Sequence, residues 1–197
     1  MTLFSVVWLA AALVISSLAG EQTTTTASNA WEPLKFFVGK WEGTGKGKPG
    51  TSKIEREYQF VLNGKYLNVQ SRSVYDPQPV NSKGEIHEEW GMISFDKSRK
   101  QFVFRQFHAE GFVNQYVATS VSADNKVIVF TSDGIENIPP GWRARETYKI
   151  ISPNEFIETF ELAGPGKPAD FNLVDKVAPS TSAASSRSTT CSISSSR

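Results

Sequence analysis

Between Trp31 and Asp175, apolar and polar residues alternate with period two, the repeat of half-buried strands rather than helices. Ile54, Tyr58 and Phe60 fall on one face with Arg56, while Glu55, Glu57 and Gln59 fall on the other. Asn63-Gly64 after Leu62 is a strong hairpin signal. Ala109-Glu110-Gly111, Ser122-Ala123-Asp124-Asn125 and Ser152-Pro153-Asn154 mark further turns. The pattern predicts strands over 36–45, 54–62, 66–75, 86–95, 101–108, 112–121, 126–132, 142–151, 155–162 and 171–177. A polar loop spans 76–85, and Pro139-Pro140-Gly141 sits in a longer link. The one helical candidate is the short turn Glu32-Pro33-Leu34-Lys35-Phe36. Short antiparallel strands joined by hairpins form a sandwich or an up-and-down barrel. About ten strands would close around one small molecule, and closure removes exposed edges. The expected fold is therefore all-β: a roughly ten-stranded antiparallel up-and-down barrel with a short N-terminal helical turn.

The ends depart from this pattern. Leu3 to Ala19 is an apolar run broken only by serines, with Ser17 and Ala19 as small residues near its end. Residues 1–19 read as a signal peptide, with an uncleaved anchor as the runner-up. This predicts a secreted or periplasmic protein with no stable membrane span once the leader is cleaved, or a membrane-anchored one otherwise. Residues 20–30 read as a Thr-rich linker, 31–177 as the barrel, and 178–197 as a disordered Ser/Thr-rich tail carrying Cys191.

Composition narrows the chemistry. Lys and Arg number 21 against 20 Asp and Glu, which argues against a nucleic-acid partner. One cysteine excludes an intramolecular disulfide and a cysteine-cluster metal site. Two histidines leave little material for a multi-histidine centre, so no metal ligands are assigned.

The first strand reads Phe37-Val38-Gly39-Lys40-Trp41-Glu42-Gly43-Thr44-Gly45. Its G-x-W resembles the opening of calycin barrels, the lipocalins and fatty-acid-binding proteins. W-E-G-x-G more specifically resembles the nitrobindin-like haem-binding β-barrel family. Glu57 to Gly64, Lys65 to Leu67 and Ile86-His87-Glu88-Glu89-Trp90-Gly91 resemble that family's later strands in the same order. The likeness spans most of 31–162. It implies a ligand cavity with His87 on its wall and Trp41 as a barrel-end plug, with Gly39 letting the backbone bend beside it. It also implies haem, held by a histidine on the final strand. Here no histidine follows His108, Tyr148 is a conceivable substitute, and no cofactor is firmly expected. Calycins usually cover the first-strand Trp with a late basic residue, for which Lys176 is the candidate.

In such a barrel, polar residues on an inward apolar face are the informative ones. His87, Glu89 and Gly91 share a face with Ile93 and Phe95, and Gln106 and His108 share one with Phe102 and Phe104. Glu146 falls with Trp142, Ala144, Tyr148 and Ile150. The candidate ligand-binding set is therefore His87, Glu89, Arg56, Gln106, His108, Glu146 and Tyr148, with Gln115 also expected inside. Arg56 should pair with Glu89 or Glu146, since a lone buried charge is costly. The leading functional expectation is non-catalytic binding or carriage of a small hydrophobic or amphipathic ligand. An enzyme using His87 and Glu89 as an acid–base pair, with the two about 7 Å apart, is a second reading. An interaction module with a vestigial cavity is the third.

Overall fold

The computed structural model describes residues 30–181. The expected leader, the linker before Ala30 and the tail beyond Thr181, with Cys191, lie outside the described residues. A one-turn helix, α1 (Glu32–Lys35), leads into ten strands: β1 (Gly39–Gly47), β2 (Gly50–Val61), β3 (Tyr66–Tyr75), β4 (Glu85–Asp96), β5 (Gln101–His108), β6 (Val113–Val121), β7 (Val127–Glu136), β8 (Arg143–Ser152), β9 (Glu155–Ala163) and β10 (Asn172–Ser180). Each strand pairs antiparallel with its sequence neighbours, and β10 returns to β1 to close an up-and-down barrel. Among the described residues, no helix is long and apolar enough to cross a membrane.

Three of the boundaries that differ from the sequence reading have a clear physical cause. Phe36 and Phe37 belong to the turn after α1 and not to β1, because their rings fold under the barrel onto Trp41 and Phe156. β7 continues through the polar Asp133 and Gly134 to Glu136, held there by pairing with β6. β10 runs past Val177 to Ser180, pairing Ala178, Pro179 and Ser180 with Thr44, Gly43 and Glu42.

That closing pair explains the glycines of β1. A Cβ on Gly43 would strike the carbonyl oxygen of Ala178, so the position is kept bare for the last strand to approach. Gly39 is needed for a different reason. Its φ of +126° lies outside the range of ordinary side chains, and this turns the chain from α1 into the barrel wall.

The α1 end of the barrel is sealed. Trp31 packs edge-on to Phe60 with ring centroids 5.2 Å apart, and Phe37 and Trp41 meet Phe156 at 5.0 and 4.9 Å. Trp41 is buried and donates its indole N–H to the Phe37 carbonyl at 2.6 Å, so it serves as the expected plug. Lys176 does not cover it. That side chain is exposed on the outside of β10, and Phe36 and Phe156 cover the indole instead. Burying each such ring contributes about 1.5–3 kcal/mol.

Candidate functional site

The opposite end of the barrel is open. Residues of β2 to β5, of the turn after β5 and of β8 to β10 surround a cavity of about 290 Å³. Its apolar wall is Phe112, Phe160, Val174 and Val177. The rest is polar, and the strand pleat explains why: residues at alternate positions of each strand point inward.

Arg56 from β2 is, among the described residues, the only guanidinium lining this cavity. Its Nε donates to Glu158 Oε2 at 3.5 Å, and its Nη1 donates to Ser73 Oγ at 3.4 Å and to the Glu55 carbonyl at 3.2 Å. Burial opposes its charge, but Glu158 and Glu89 outweigh burial and hold it protonated. Glu89 is likewise pushed up by burial. Arg56, the histidines and a 2.7 Å hydrogen bond from Ser71 more than offset this, and it stays below its ordinary range. Glu146 and Glu158 go the other way. Glu146 accepts hydrogen bonds from Tyr148 at 2.6 Å and Tyr116 at 3.1 Å, yet burial, with Glu158 and Glu89 nearby, pushes it up to about 8. Burial also raises Glu158, although Arg56 pulls against it. The lumen therefore holds Glu146 and Glu158 above the ordinary carboxyl range and Glu89 below it.

Above this network, at the rim, stand both histidines of the chain. His87 Nδ1 lies 2.6 Å from Glu110 Oε1, and its Nε2 lies 3.4 Å from His108 Nδ1. His108 stacks on Phe112 with ring centroids 3.9 Å apart, and its Nε2 faces the Asn114 amide at 3.0 Å. Burial lowers the His108 pKa, against the pull of Glu89.

All seven candidate residues lie on the inward faces. Arg56, Gln106, Glu146 and Tyr148 are buried, and Glu89, His87 and His108 border the cavity. Other expectations need correction. Arg56 hydrogen-bonds to Glu158, and Glu89 acts on it only through charge. His87 and Glu89 do not stand about 7 Å apart at their reactive atoms, because the side chains converge and bring Nε2 to 4.0 Å from Oε1. Gln115 faces outward and donates to Glu136 at 2.7 Å; Asn114 and Tyr116 take the inner face of β6. Trp142 is exposed at the start of the β8 register. Tyr148 is committed to Glu146 and is not free to act as a metal ligand.

Glu158, Asn114, Tyr116 and Glu110 escaped the sequence reading. Glu158 carried a usable signal, a lone carboxylate between Phe156 and Phe160 at the strand period. Glu110 carried none, because it reaches His87 from the turn between β5 and β6.

A family model for the THAP4-like, heme-binding β-barrel domain matches residues 30–169. The chain belongs to this family. The resemblance read from W-E-G-x-G and His87-Glu88-Glu89 is thereby borne out. Among solved structures, the chain is similar to Rv2717c from M. tuberculosis, at 19% identity and a TM-score of 0.58, covering 78% of this chain and 97% of that one. It also matches a de novo designed fluorescence-activating β-barrel at 14% identity and a TM-score of 0.39, over 75% of this chain and 94% of that one. A comparison with curated proteins finds no match.

The family binds haem, so the donor set of this barrel can be tested against that group. His87 and His108 stand side by side on β4 and β5. The facing wall, β9 and β10, offers Phe160, Val174, Asp175 and Val177, and no imidazole. The cavity of about 290 Å³ is at the lower bound for small-molecule pockets, and the Arg56–Glu158 and Tyr116–Glu146–Tyr148 groups fill the space beneath it. These residues do not fit haem held from the final strand.

Proposed function

We propose that this protein binds, without turnover, a small amphipathic molecule whose polar end is cationic, with its apolar part against Phe112, Phe160, Val174 and Val177. The carrying observation is the sign of the lumen. Glu89, Glu146 and Glu158 converge below the mouth, and Arg56 is the one permanent cation among them. An anionic head, such as a fatty carboxylate, would add a further buried negative charge to that set at high cost. An ammonium or amidinium head would instead displace the proton held on Glu146 and form charge-assisted hydrogen bonds with the lumen carboxylates.

His87 is tied to Glu110 and Glu89 to Ser71 by short hydrogen bonds, and binding is the better account of the pair. The reading of residues 1–19 as a leader belongs to the same proposal and would place such a carrier outside the cytosol; N-terminal sequencing of the mature chain tests it.

Native mass spectrometry of the purified protein tests the binding reading. A co-purified small molecule carrying an amine or amidine, lost on Glu146→Gln combined with Glu158→Gln, is the expected result. A bound fatty acid, or a Soret band from haem, would contradict it.

A further inference from the structure

His87 and His108 are the only imidazoles in the chain, yet the β4–β5 register brings them together. Glu89 is paired directly with His108 across this register. The ring nitrogens that face each other, His87 Nε2 and His108 Nδ1, are 3.4 Å apart. An ion with tetrahedral bonds of about 2.0–2.1 Å spaces its ligand atoms about 3.3 Å apart. The Glu89 carboxylate completes the triangle, with Oε1 4.0 Å from His87 Nε2 and Oε2 3.8 Å from His108 Nδ1.

The supporting groups are those a metal site requires. Glu110 accepts the Nδ1 proton of His87 at 2.6 Å, which leaves the Nε2 lone pair pointing at His108. Its carboxylate belongs to the same cluster, in which His87, His108 and Glu110 each bring a ligand-capable atom within 4.8 Å of the others. The Phe112 ring fixes the plane of His108, and Ser71 fixes Glu89 through a 2.7 Å hydrogen bond. The Asn114 amide nitrogen stands 3.0 Å from His108 Nε2, and the amide must turn its oxygen to that atom when Nδ1 gives up its proton to an ion. His87 is 26% exposed at the side chain, so an ion can reach the site from the mouth.

We propose that His87 Nε2, His108 Nδ1 and the Glu89 carboxylate bind a divalent first-row transition ion of the zinc class, with Glu110 positioning His87 and the Phe112 ring positioning His108. Two imidazoles and one carboxylate select Zn²⁺ or Co²⁺ over Mg²⁺ or Ca²⁺, which take all-oxygen sets. Three protein ligands leave a fourth position open toward the mouth. The site shares Glu89 and the Phe112 ring with the cavity, and its metal readout is separate from the readout of the amphipathic-ligand proposal.

Titration of the full chain with Co²⁺, followed by its visible d–d absorption, tests the site. The expected result is one Co²⁺ per chain in a four-coordinate spectrum, displaced by Zn²⁺ and not by Mg²⁺. His87→Ala should weaken binding by more than about 100-fold, and Glu110→Gln by about 10–100-fold, the usual effect of removing a group that orients a ligand. Glu88→Gln, on the outer face of β4, should leave it unchanged. His87 is partly exposed, so its loss should not unfold the barrel, and a circular dichroism melt of the variant checks this. No Co²⁺ binding by the wild-type protein, equal binding of Mg²⁺, or an unaltered affinity in folded His87→Ala would overturn the proposal.

Discussion

The two ends of the barrel are built by one rule and do opposite things. In both, alternate residues of each strand point inward. At the α1 end those positions carry Tyr58, Phe102 and Phe156, and Trp31 and Phe37 fold under to meet them ring to ring. At the mouth they carry Arg56, Glu89, Glu146 and Glu158, held apart from water by tyrosines and phenylalanines. The closed end gains free energy from every ring it buries. The open end spends it, keeping ionisable groups dry and partly unpaired, an arrangement typical of a site kept for a ligand. The comparison therefore separates residues that make the barrel from residues that make it useful.

Removing a ring from the closed end should have the largest effect. Phe156 is fully buried and touches Phe36, Phe37, Trp41, Tyr58 and Tyr148, so Phe156→Ala should cost about 3–5 kcal/mol in urea denaturation. A cost under about 1 kcal/mol would mean that this end is not the stabilising one. Arg56→Ala should follow closely, at about 3 kcal/mol, because it leaves Glu158 and Glu89 buried without their cation. Gly43→Ala tests closure. A methyl group facing the Ala178 carbonyl should destabilise by more than about 1 kcal/mol and loosen amide protection along β10 before other strands.

A smaller effect comes from Glu146, and its sign is opposite to that of most carboxylates. Its folded pKa of about 8 exceeds the ordinary 4.5, so the folded protein holds a proton that the unfolded chain gives up between those values. The stability this proton contributes is complete below pH 4.5 and is lost as the pH rises toward 8. Melting temperatures measured across that window should fall for the wild-type protein relative to Glu146→Gln. Parallel profiles would show that Glu146 is not the group responsible.

The barrel was largely legible in the chain because its cause is local. Period-two alternation and turn residues such as Asn63-Gly64, where both residues take positive φ, set strands and hairpins without long-range information. The inward position of Arg56, Glu89, Gln106 and Glu146 followed from the same alternation. Register across strands did not. On β6, pairing with β5 sets Asn114 beside Gln106 and Tyr116 beside Phe104 on the inner face, and Gln115 turns outward with Arg105. The histidine pair was hidden for the same reason. His87 and His108 are 21 residues apart, and only the offset of β4 on β5 brings them side by side. A count of two histidines reads as scarcity along the chain and as a cluster in the fold.

The most direct test of the central claim compares three ligands of one chain length, octylammonium, octanol and octanoate, by calorimetry with the purified protein at pH 7. A cation-accepting lumen predicts that octylammonium binds at least about tenfold more tightly than octanoate, with octanol between them. It also predicts that octylammonium affinity rises with pH toward 8 as Glu146 gives up its proton, while that of octanol stays flat. Octanoate binding as tightly as octylammonium, or more tightly, would contradict the account.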